Sequence, residues 1–132
     1  NCKSYQKVKN VLSAESKGVY QGKIFVKDIA QKTDAYQLSK AILLSESSEF
    51  NSKPELEIYA DDVKCSHGST SGSLDKDSIY YLMTRGLSKN ESTKILVEGF
   101  LNEITESIKS KTIKNFIKMK LEDQLQNEHK KH

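Results

Sequence analysis

The chain has 132 residues, enough for one ordinary domain with a buried core. Its 21 Lys and Arg nearly balance 18 Asp and Glu, for a formal net charge of +3, which argues against the concentrated basic face of a nucleic-acid binder. No apolar run approaches the roughly 20 residues of a membrane span, and no signal-peptide pattern opens the sequence, so a soluble protein without nucleic-acid or membrane partners is expected. Two cysteines, Cys2 and Cys65, are too few for a disulfide framework. Without a signal, a reducing compartment follows, and the cytoplasm is the default location. The sequence opens at Asn1 rather than Met and starts with what reads as part of a repeating β structure, so a piece of a longer protein is expected.

Up to about Gly72 the apolar residues come in short, β-branched or aromatic clusters: Val19-Tyr20, Ile24-Phe25-Val26, Ile42-Leu43-Leu44, Leu56-Glu57-Ile58-Tyr59 and Val63-Lys64-Cys65. Gly18, Gln21-Gly22, Asp34, Ser47-Ser48, Asn51-Ser52, Asp61-Asp62 and Gly68 read as the turns between them. Each such strand is too short to bury its own face, and the spacing suits coils stacked as a β-helix. A small sandwich competes, and periodicity does not separate the two.

From Leu74 the apolar period becomes helical. Asp75 suits the N-cap of a short helix through Ile79, Leu82 and Met83, stopped by Gly86. Ser88-Lys89-Asn90-Glu91 reads as a capping box. The helix behind it carries Leu96, Phe100, Ile104 and Ile108, flanked by Val97 and Leu101. A last helix places Ile113, Phe116, Ile117, Leu121 and Leu125 on one face, with Lys111, Lys114, Lys118 and Lys120 on a solvated face opposite, and fraying is expected over Asn127 to His132. Stripes of this kind usually form a core.

One segment carries chemistry. In Asp61-Asp62-Val63-Lys64-Cys65-Ser66-His67-Gly68, a strand would point Cys65 and His67 to one side. Thiolate and imidazole suit iron, iron–sulfur clusters and zinc. Two ligands do not close a tetrahedral site, so such a site would be open or shared with another chain. The alternative is a small buried cysteine beside an exposed histidine. A stand-alone thiol hydrolase would need a third orienting group. His129 and His132 lie in the tail, Asp61 and Asp62 read as a turn, and Gly18 and Gly22 lack the phosphate-loop and dinucleotide patterns. Catalysis by this chain is not expected.

The run Leu56 to Gly68 resembles the segment that characterises the SufD branch of the SufB/SufD family of iron–sulfur cluster assembly scaffolds. Gly22-Lys23-Ile24-Phe25-Val26, Gln31-Lys32-Thr33-Asp34-Ala35, Leu43-Leu44-Ser45, Lys53-Pro54 and Tyr81-Leu82-Met83-Thr84-Arg85-Gly86 resemble further family segments in the same order, over roughly residues 17–104. The SufB branch carries glutamate and histidine in a different order where this chain has Cys65-Ser66-His67. Ser69 stands where alanine is common, and no motif is recognised beyond residue 110.

The resemblance implies the end of a right-handed parallel β-helix over residues 1–72 and a small helical, partner-docking domain over 73–132. It implies a SufB-like scaffold subunit and a SufC-type ATPase as partners, with a homodimer as an option for the isolated chain. The family's Cys and His fall on Cys65 and His67, which would hold iron or a transient iron–sulfur cluster shared with the SufB-like partner, the isolated chain binding none. The competing reading is an adaptor in that complex in which both residues are structural.

Overall fold

The computed structural model describes residues 2–129, with side chains as far as Leu125. The chain divides into two compact units, one ending at Ser73 and the other starting at Leu74. The first consists of strands, β1 (Lys3–Leu12), β2 (Lys17–Val26), β3 (Asp34–Leu43), β4 (Glu49–Ile58) and β5 (Lys64–Ser73). The second consists of helices, α1 (Lys76–Thr84), α2 (Lys89–Thr105) and α3 (Lys111–His129). The expected order, mainly β and then α, holds.

Successive strands alternate between two sheets. One sheet has the order β1-β3-β5, the other pairs β2 with β4, and every pairing is parallel. Parallel pairing favours stacked coils over a sandwich built from hairpins, which would make neighbours antiparallel. Residues meet their counterparts about one coil on: the side chain of Gln37 reaches that of Gln6, 31 residues away. The turns stack as well as the strands. Ser45 and Ser47 both donate their hydroxyls to the Ala14 carbonyl of the previous coil. The Lys32 N–H donates to Asp62 O at 2.6 Å, and the Asp62 N–H donates to Gln31 Oε1 at 3.0 Å.

Inside the coils, alternate residues face inward as strand pleating requires. On β3 these are Ala35, Gln37, Ser39 and Ala41, each buried. Ile24, Val26, Ala35 and Ala60 form the apolar cluster, and Ala30, Val63 and Cys65 pack against it.

One strand lies outside the apolar clusters of the sequence, and one set of expected turns is corrected here. The polar stretch Lys3–Leu12 carries no strong β signal, yet it is β1, paired with β3 along its whole length. Gly18, Gln21, Gly22, Asp34, Asn51, Ser52 and Gly68, read as turns, lie within strands. The inward glycines there make room: a Cβ on Gly18 would lie 3.0 Å from Leu12 and 3.2 Å from Phe50. Ser47-Ser48 and Asp61-Asp62 do fall between strands.

The helix ends follow their sequence signals. The Asp75 carboxylate accepts from the N–H groups of Asp77 and Ser78, at 3.3 and 2.9 Å. Gly86 adopts a positive φ of 96° and closes α1 with a double bond set, Gly86 N–H to Met83 O and Leu87 N–H to Leu82 O, the pattern of a Schellman end. Ser88 and Glu91 form the expected capping box on α2. On α2 the buried side chains are Ser92, Val97 and Thr105, so the face centres on Val97 and leaves Leu96, Phe100 and Ile104 half-buried, while Ile108, expected on this helix, lies beyond its end at Thr105.

α3 departs from expectation. Ile113 and Phe116 are exposed, while Lys114 and Lys118 turn inward with Ile117, Leu121 and Leu125. The cause is Glu106, the C-cap of α2, which accepts from Lys114 at 2.6 Å and from Lys118 at 2.8 Å. Two ammonium groups also offset the unfavourable placement of an acid at a helix C-terminus. The backbone is helical beyond Asn127, as far as His129, where fraying was expected, and residues 130–132 lie outside the described part.

The two lysines hold the Glu106 carboxyl down at about 2, from an ordinary 4.5. A carboxyl whose value is lowered by folding contributes stability above its unfolded value and loses it as pH falls towards the folded one. The helical unit should therefore weaken between pH 4.5 and about 2, and Glu106→Gln should flatten that part of the profile. Thermal unfolding followed by circular dichroism across this range checks it, and equal acid sensitivity in both proteins would exclude Glu106 as the tie.

Candidate functional site

β5 has little to make it a strand by itself, since Lys64-Cys65-Ser66-His67-Gly68-Ser69-Thr70-Ser71-Gly72-Ser73 contains almost no apolar surface. Pairing with β3 imposes the conformation, residue for residue from Asp34↔Lys64 to Leu43↔Ser73. The register puts Cys65 opposite Ala35 and His67 opposite Gln37. Cys65 packs on the apolar cluster and is half-buried, so its side chain faces the coil interior. His67, two residues on, shares that face but is exposed.

The exposure of His67 has a topological cause. β1 and β5 are the two edges of one sheet, and β2 and β4 are both edges of the other, so β5 is covered on its β3 side only. On β4, Leu56 and Ile58 are in register with the buried Ile24 and Val26, yet they remain 38% and 37% exposed. Their inward faces have no further coil to close them among the described residues. Leu56, Ile58, Cys65 and His67 thus belong to the open end of the coil stack, with a thiol and an imidazole on an apolar rim.

Behind His67 the interior is polar. Gln6, Gln37 and His67 stand in one row across β1, β3 and β5. Gln37 is 1% exposed, and its Nε2 donates to Gln6 Oε1 at 3.1 Å. Gly22 on the opposite sheet provides the space: a Cβ there would collide with Gln37 Nε2 and lie 2.6 Å from the Tyr20 hydroxyl. The outward face of β2 and β4 carries a separate cluster. Lys23, followed by the donating Tyr59 hydroxyl at 2.7 Å, holds the Glu57 carboxyl below its usual range, and Glu57 pushes the Tyr59 phenol up. Phe25 packs edge-on against Tyr59 with ring centroids 5.9 Å apart.

The Cys65–His67 pair is therefore brought to one face. Among the described residues no three His, Cys, Asp or Glu side chains gather into a group that could hold a metal ion. Of the other cysteine and histidines, Cys2 is exposed, His129 ends α3, and His132 lies outside the described residues.

A family model described as the SUF system FeS cluster assembly SufBD core domain matches residues 1–100. The chain belongs to the SufB/SufD family. Its relatives point to the SufD side of it. The iron-sulfur cluster assembly protein SufD of Escherichia coli (strain K12) is 38% identical over 113 residues, covering 86% of this chain and 27% of the relative. An iron-sulfur cluster assembly SufBD family protein of Synechocystis is 40% identical over 100 residues, 76% of this chain and 22% of the relative. The SufD of Bacillus subtilis (strain 168) is 30% identical over 104 residues, 79% of this chain and 24% of the relative. The chain thus spans about a quarter of the length of these relatives. The match to the SufBD core takes in all five strands, α1 and the first part of α2, and α3 lies outside it.

Of the residues behind the site, Gln6 and Gln37 carry no signal of their own in the sequence, and Gly22 reads there as a turn. A signal was available in the pair: Gln6 and Gln37 recur 31 residues apart, the offset by which β1 pairs with β3. Gly22→Ala should overpack the interior at Gln37 and cost about 1–3 kcal/mol, read as a lower denaturation midpoint of the strand unit. An unchanged midpoint would show that the Gln37 amide is free to move aside.

Proposed function

We propose that this chain is the carboxy-terminal part of a SufD-like scaffold subunit whose coils wind as a right-handed parallel β-helix. The right hand follows from the strong rule for parallel crossovers within one sheet. The subunit pairs with a SufB-like subunit at the open end of the coils and docks a SufC-type ATPase through the helical unit. There it helps to hold a nascent iron–sulfur cluster, the cargo of the assembly, at a site shared with the SufB-like partner. The chain itself is a cytoplasmic scaffold rather than an enzyme, it engages neither nucleic acid nor membrane, and in isolation it can self-associate through the same open end.

The observation that carries this reading is the placement of Cys65 and His67 on one face of an outer strand, beside the uncovered Leu56 and Ile58. Free parallel edges accept a strand from another chain, and two soft ligands at such an edge leave room for the partner to supply the rest. Neutral imidazole can replace thiolate on an iron, which suits His67 as the more accessible ligand. No helix among the described residues is long and apolar enough to cross a membrane. On the helical unit, Tyr80, Tyr81 and Met83 are exposed, and Arg85 stacks over the Tyr81 ring at 5.2 Å, which offers an aromatic face for the ATPase.

A specific observation favours the adaptor reading for one of the two residues. Cys65 packs against Ile24, Val26, Ala35 and Ala60, a common fate for a free cysteine acting as a small hydrophobe. His67, by contrast, is exposed.

Alanine substitutions in the assembled complex test the proposal. With His67→Ala, cluster yield should fall at least as far as the roughly 10- to 100-fold loss caused by removing a group behind a metal ligand, while the subunits still co-purify. Unchanged yield in both His67→Ala and Cys65→Ala, or simple dissociation of the complex, would refute the ligand role. Deletion of residues 74–132 should abolish binding of the ATPase, and retained binding would refute the docking role of the helices.

A further inference from the structure

The buried amide of Gln37 holds an acceptor without a partner, one strand away from His67. Its Nε2 donates to Gln6 on β1, whereas its Oε1 is buried and has no hydrogen-bond partner among the described residues. β3 lies between β1 and β5. The nitrogen of the amide is committed towards β1, and on the other side of β3, on β5, the residue in register with Gln37 is His67. Neighbouring strands lie about 4.8 Å apart, a spacing at which in-register side chains on one face can hydrogen-bond. A buried amide oxygen left unpaired is unfavourable, and a neutral imidazole offers one N–H donor and one lone pair.

We propose that Gln37 is a positioning residue for His67: its Oε1 accepts the ring N–H of one nitrogen and leaves the other as a lone pair turned to the open end of the coils. The inference rests on the reading of His67 as a ligand and deepens it, because it assigns which nitrogen is available to iron. A hydrogen bond at one ring nitrogen generally fixes the tautomer and orientation of a metal-binding histidine. Here a neutral amide does this, and it is itself locked from behind by Gln6. Gly22 leaves the room that the amide occupies, and it is the Nε2 end that lies against the Gly22 position. The row Gln6–Gln37–His67 thus runs from one edge strand to the other through the buried Gln37, with one donor and one acceptor assigned at each step.

The test is the tautomer of His67 in the full chain, uniformly labelled with 15N-histidine and read from long-range proton–nitrogen correlations at a pH where the ring is neutral. The signals of His67 are identified by their loss in His67→Ala. The wild type should show a single tautomer, Gln37→Met should show a mixture, and Gln37→Glu, which retains an acceptor oxygen, should restore the single form. Tyr20→Phe should leave it unchanged. A mixture in the wild type overturns the proposal even if the Met variant fails to fold, as does a single tautomer that survives Gln37→Met or disappears in Tyr20→Phe. The ligand reading fails separately: a fixed tautomer lost in Gln37→Met, with cluster yield unaffected by His67→Ala, would support the hydrogen bond and reject the ligand.

Discussion

Parallel strands stacked in register close one another: the inward face of each coil is covered by the coil beside it, and its backbone groups are satisfied there too. β3 is covered on both sides by β1 and β5, and its inward residues from Ala35 to Ala41 are buried. The edge strands, paired on one side only, are left incomplete to different degrees: β2 is buried where β4 is not. Leu56 and Ile58 occupy positions equivalent to the buried Ile24 and Val26 and yet stay open. Cys65 and His67 inherit their surroundings from this incompleteness. Residues that would be ordinary interior side chains in a middle coil become accessible on the last one, where their chemistry can be used.

The interior that leads to this end is not uniformly apolar. Its apolar cluster is small, and beside it lie the buried Gln37 and Ser39. Buried amides are tolerated when their hydrogen bonds are made, and they then fix the packing around them. The Gln6–Gln37 bond and the absence of a side chain at Gly22 are the local conditions for that here. The helical unit is held by different means, with caps at Asp75, Ser88 and Gly86 and the Glu106 ion pairs carrying what a sparse core does not.

Much of this was legible in the residues. The β-to-helix change near Gly72, the Asp75 and Ser88 caps and the Gly86 stop are local signals, and local chemistry decides them. The i, i+2 relation of Cys65 and His67 also follows from strand geometry alone. Other features depend on a neighbour one coil away. β1 and β5 are polar and Ser-rich or Lys-rich, and only pairing with β3 makes them strands. Gly18, Gly22 and Gly68 look like turns because glycine is common in turns, whereas here they yield space to side chains from other strands. The inward rotation of Lys114 and Lys118 required knowledge of where Glu106 ends the preceding helix.

The central claim is that His67, at the open end of the coils, is a ligand to iron in the assembled complex. Pulsed electron paramagnetic resonance of a paramagnetic cluster in that complex, with 15N-histidine introduced only into this chain, measures this at the atom concerned. The expected result is a strongly coupled 15N nucleus that disappears in His67→Ala. A cluster formed in full yield with no coupling from this chain's histidine nitrogens would contradict the account.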